Sequence, residues 1–143
     1  MSDHLLDYDP LQEQIRAALS RAAGVARDLE AVVRHVPKTC RRLIRGLVQD
    51  LHQGRILPQR VVRDLQVVIE HAEREITRGE RHNIIVDEHC AEGAYSQIVY
   101  TSDAEVLRER LPSLRQMHTH LTAIHHICAA EGLALEMRTD RQR

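Results

Sequence analysis

A chain of 143 residues with 43% apolar and 29% charged side chains can bury one real core without disulfide or metal staples. Its formal charge of −1 with neutral histidines argues against a wholesale polyanion binder, and three scattered cysteines, none in a CxxC pair, argue against an oxidised secreted scaffold. An aromatic fraction of 2% makes the core aliphatic and weakens both a base-stacking platform and a sugar site floored by rings.

The opening MSDHLLDYDP is acidic and lacks a cationic flank with an apolar h-region, so no signal peptide is expected. No run approaches the ~18 apolar residues needed to span a bilayer. The expectation is a cytoplasmic protein with no membrane partner.

Residues 1–8 read as a loose tail. Asp9 and Pro10 then fit an N-cap and a first helical position, and Leu11, Ile15, Ala18, Leu19, Ala22, Val25, Ala26, Leu29, Val32 and Val33 form one wide apolar stripe at helical spacing. The stripe predicts a helix to about His35, ended by Pro37. Gly24 lies inside it among alanines, at a point where a second helix is expected to come close.

After Pro37 a shorter helix follows, carried by Cys40, Leu43, Ile44, Leu47, Val48 and Leu51. Gly54 and Ile56 are placed for a Schellman ending. Pro58 opens a third helix along Val61, Val62, Leu65, Val68, Ile69, Ala72 and Ile76, closed by Gly79. Such short connections favour adjacent, antiparallel helices, so residues 9–79 are expected to form a three-helix unit.

The texture then changes. NIIV at 83–86 and QIVYT at 97–101 are β-branched runs, which predict a hairpin with Gly93 in its connection. A continuous helix through 80–101, giving an all-α bundle, is the alternative.

From Ser102 a capping-box pattern with Glu105 leads into Val106, Leu107, Leu111, Leu114, Met117, Leu121, Ile124 and Cys128, a long helix with Pro112 expected to kink or break it. Gly132 is a plausible stop. Leu133, Leu135 and Met137 then alternate, which predicts a last strand at 133–138 before a loose tail at 139–143. The fold class is thus α+β, mostly helical, in a single domain over 1–143: a three-helix unit at 9–79 and a ββαβ unit at 80–138.

The chemistry is sparser than the architecture. HExxH, GxSxG, the P-loop and GxGxxG are all missing, so no catalytic residue is assigned and an enzyme is not the expectation. Of the ten histidines, His118, His120, His125 and His126 crowd the last helix. His118 and His125 share a face but lie about 10 Å apart along the axis, and His125 meets Cys128 at a ligand spacing. His118, His125 and Cys128, with His89 brought from the hairpin, are the candidate ligands of a transition metal such as zinc. The competing account is a helix edge of hydrogen-bonded or half-exposed imidazoles, with no cofactor at all. His89 beside Cys90 is not a nucleophile and base, because adjacent side chains diverge on a strand or a helix.

Charge is distributed in blocks. Residues 38–63 carry Lys38, Arg41, Arg42, Arg45, Arg55, Arg60 and Arg63 against Asp50, a net of +6; residues 64–92 carry a net of −5. Arg41, Arg42, Arg45, Arg55 and Arg60 are the candidate nucleic-acid contacts if the two helices around QGRILP act as a helix-turn-helix, although acidic residues along the second helix would repel phosphates. The leading expectation is a non-enzymatic regulatory or adaptor protein that binds another protein and itself as a homodimer. Leu19, Ala22, Val25, Leu29 and Val32 are its candidate interface, with ordinary core packing as the competing account.

Overall fold

The computed structural model describes residues 2–86 and 93–130. Four helices and one hairpin follow in chain order: α1 (Ser2–Val32), α2 (Lys38–His52), α3 (Gln59–Arg78), β1 (Glu80–Val86), β2 (Ala94–Tyr100) and α4 (Ser102–Ala130). The mostly helical α+β class is as expected, and the hairpin rules out the all-α alternative. The expected strand at 133–138 and the tail at 139–143 lie outside the described residues.

Each apolar stripe packs inward. α1 meets α2 and α4, and α3 meets α2 and α4, so the helices close a ring around one aliphatic core. That core is continuous from Leu11 and Leu29 through Ile44, Leu47 and Leu65 to Leu107, Leu114, Leu121 and Ile124. Each such side chain stabilises the fold by roughly 1.5–3 kcal/mol on burial. α4 therefore completes the three-helix unit, sharing its core.

The connections are built from their sequences. α2 ends in a Schellman motif: Arg55 N–H donates to Asp50 O at 2.8 Å and Gly54 N–H to Leu51 O at 3.2 Å. Gly54 adopts φ +73°, a conformation that costs a residue without Cβ little. Ile56, just beyond, is buried. Pro37 and Pro58 stand as the residues before α2 and α3.

Several expectations need correction. The helix runs from Ser2 through Asp9 and Pro10, so residues 2–8 are helical and Asp9 is not its cap. At α4 the cap is Thr101, one residue before the expected Ser102: Ala104 N–H donates to Thr101 Oγ1 at 3.4 Å and Glu105 N–H to Thr101 O at 2.9 Å. α4 also continues through Pro112 without a break. A proline removes one ladder bond, and the buried row Leu107, Leu111, Leu114 and Met117 on either side of it holds the helix in place. Gly24 marks no close helix among the described residues, because a Cβ built there meets nothing within 4 Å.

Candidate functional site

The hairpin is the element least absorbed by the core. β1 and β2 pair antiparallel over their full length, from Glu80 opposite Tyr100 to Val86 opposite Ala94, and Gly93 turns the chain with φ +75°. Seven residues per strand make a ribbon ~23 Å long.

Its base is held tightly. Thr101 N–H donates to Gly79 O at 2.9 Å, and Gly79 N–H donates to Glu75 O at 2.9 Å, which joins the end of α3 to the start of α4. A Cβ on Gly79 would come within 2.6 Å of Ala104 Cβ and also strike Thr101 Oγ1, so only glycine fits this crossing. Arg108 on α4 stacks its guanidinium 3.8 Å from the Tyr100 ring centroid, a cation–π contact at the foot of β2.

Beyond its base the described ribbon has little to lean on. β2 meets the first part of α4, and no other helix makes more than marginal contact with either strand. Ile98 is 48% exposed and Val99 40% exposed. As neighbours on one strand they point to opposite faces, so each face of the ribbon carries a large apolar side chain in solvent. They lie opposite His82 and Arg81.

The expected interface on α1 is placed differently. Ala22, Val25, Leu29 and Val32 are buried in the chain's own core, while Leu19 is 44% exposed. The wide stripe is wide because α1 packs against both α2 and α4. Sequence periodicity cannot separate a helix with two neighbours in its own chain from a helix with one neighbour and one partner.

The arginines divide. Arg42 and Arg45 are exposed, whereas Arg41 is half-buried with Nε lacking a hydrogen-bond partner among the described residues. Arg60 donates through Nη2 to both carboxylate oxygens of Asp50 at 2.9 Å, and Arg55 lies 4.0 Å from the same carboxylate. Asp50 is the one charged side chain buried among the described residues. Arg42, Arg55 and Arg60, with Asp50, line a cleft of about 390 Å³ between α2 and α3.

Among the described residues the histidines do not converge. His118, His125 and Cys128 all lie on α4, and among the described residues no group of three His, Cys, Asp or Glu side chains is arranged to hold a metal ion. His89 lies outside the described residues. Burial pushes the imidazoles of His118 and His125 below the ordinary histidine range, with the neighbouring His126 adding a smaller effect at His125; both are neutral at pH 7. His120 accepts a short hydrogen bond from Arg21 Nη1 through Nε2, and His35 Nδ1 lies 2.6 Å from Asp103 Oδ1. Each ties α1, or the turn after it, to α4. These imidazoles serve as helix-to-helix contacts.

The acidic block is also partly neutralised within the chain. Arg115 of α4 donates to Glu73 at 2.8 Å, and Arg78, itself within the block, lies 3.2 Å from Glu75; outside the block, Arg110 of α4 pairs with Asp28 of α1 at 3.0 Å. The Arg115–Glu73 pair joins residues 42 positions apart, so a count along the sequence overstates the surface dipole.

Compared with protein-family models, with characterised proteins and with solved structures, the chain matches none. Among the described residues, no helix is long and apolar enough to cross a membrane.

Proposed function

We propose that this chain is a non-enzymatic regulatory or adaptor protein of the cytoplasm that acts by binding protein, and that its first partner is a second copy of itself docked through the β1–β2 ribbon. The observation that carries the reading is the exposure of Ile98 and Val99 on a ribbon that, among the described residues, is anchored only at its base. Two strands alone are at best marginally stable in water, and a third strand or a packed face is needed. Both edges of a two-stranded ribbon also present unpaired backbone groups, a template for another strand.

A second copy answers that need in fixed proportion. An isologous two-fold contact brings one ribbon against the same ribbon, so an apolar face meets a surface of its own kind. The missing catalytic motifs and the scattered cysteines agree with an adaptor in a reducing compartment.

Light scattering behind a sizing column tests the reading. The wild-type chain is expected at twice its 16.4 kDa mass, and an Ile98→Glu/Val99→Glu variant at the monomer mass with unchanged helical circular dichroism. A wild-type monomer at all concentrations, or a double variant that stays dimeric, rejects the ribbon as the docking element.

A further inference from the structure

The α2–α3 cleft carries a second, independent reading. One wall is a face of α2, with Arg42, Gly46, Gln49 and Asp50 at helical spacing, and Arg55 and Arg60 also line the cleft. The volume of about 390 Å³ falls in the ordinary range for a small-ligand pocket.

Two observations give the cleft a chemistry. The first is surplus positive charge. Asp50 is held by Arg60, and Asp64, at the α3 side, lies 3.8 Å from Arg63. Arg42 has no ion-pair partner among the described residues, and Arg55 reaches Asp50 only at 4.0 Å. Two guanidiniums therefore face the cleft with donors to offer, and guanidinium forks match phosphate and carboxylate oxygens.

The second observation is Gly46. A glycine inside a helix costs ~1 kcal/mol relative to alanine, and nothing among the described residues requires it here: a Cβ at this position meets nothing within 4 Å. It is exposed and lies on the cleft wall one turn from Arg42 and one turn from Asp50. A bare backbone at that point opens the space between the arginines and lets a bound group approach the helix.

We infer that this cleft binds a small phosphate-bearing ligand, held by Arg42 and Arg55 against the Gly46 floor. A long polyanion fits less well. α3 turns acidic after Arg63, with Asp64, Glu70 and Glu73 following, so a duplex laid across both helices meets repulsion on one of them. A discrete anion set against α2 avoids it.

The test is titration of the nitrogen-labelled full chain with inorganic phosphate and, separately, with a nucleoside monophosphate, followed through the backbone amides of Gly46 and Gln49. Saturable shifts below about 10 mM ligand are expected, with at least about tenfold weaker binding in Arg42→Gln/Arg55→Gln. Tighter binding of the nucleotide than of phosphate would assign the ligand as a phosphate monoester; the reverse would assign the free anion. Gly46→Leu should lose binding while melting no lower than wild type, since leucine favours the helix. Equal shifts with sodium chloride at matched ionic strength, undiminished binding in either variant, or retention of duplex DNA without a response to phosphate would overturn the inference.

Discussion

Arg60 closes on Asp50 across the α2–α3 turn, its Nη2 2.9 Å from both carboxylate oxygens, while the backbone carbonyl of the same aspartate accepts the Arg55 amide that completes the Schellman ending. One residue thus fixes both the stop of α2 and the start of α3. The Asp50 side chain is 7% exposed and that of Arg60 57% exposed, so the pair is half in solvent and its strength is moderated by water. Removing Arg60 leaves a buried carboxylate with only the more distant Arg55. Arg60→Ala should destabilise the fold by ~1–3 kcal/mol, the cost of stranding a buried charged group. The double variant with Asp50→Ala should lose less than the sum of the singles. A urea double-mutant cycle measures this, and strict additivity would show that the two side chains act separately.

The glycines separate by what surrounds them. At Gly79 a side chain would press on Ala104 and Thr101, so Gly79→Ala should cost ~1–3 kcal/mol through overpacking at the base of the ribbon. At Gly24 there is open space and an ordinary helix interior, so Gly24→Ala should stabilise by ~0.5–1 kcal/mol. Thermal denaturation of the two variants distinguishes them by sign. A Gly24→Ala variant that melts lower would point to a partner helix seated there.

The architecture was legible in the sequence where local signals agree. The 3.6-residue period marked all four helices, Gly54 with Ile56 marked the end of α2, and the β-branched runs around Gly93 marked the hairpin. What escaped depends on competition or distance. Thr101 and Ser102 are both good caps, and the chain chooses Thr101 because its amide is already bound to Gly79. Pro112 breaks a helix only when packing does not hold it. The Asp50–Arg60 pair and the Arg115–Glu73 pair follow from how helices cross, which periodicity does not encode. The α1 stripe was visible, but its second neighbour was not.

That stripe yields a sharp contrast with the ribbon. Leu29 is fully buried, and Leu29→Glu places a carboxylate where no partner is available, a change worth several kcal/mol. Circular dichroism should show an unfolded chain for Leu29→Glu and a native helical spectrum for Ile98→Glu. A folded, monomeric Leu29→Glu variant would instead return the α1 stripe to the role of an interface.

The two half-buried imidazoles of His118 and His125 set an acid limit. His118 and His125 have values lowered from 6.5 by desolvation, with the charge of His126 contributing at His125. In the unfolded chain both take up protons near pH ~6.5, while in the fold they resist. Between the unfolded and the lowered folded values the unfolded state binds more protons, so stability rises with pH across that interval. Their contribution is present in full above ~6.5 and is lost as pH falls through the folded values. The melting temperature of wild type should therefore drop between about pH 7 and about pH 5. His118→Gln/His125→Gln should show a shallower drop over the same interval, because a glutamine does not titrate. Parallel curves for the two proteins would place the acid sensitivity elsewhere in the chain.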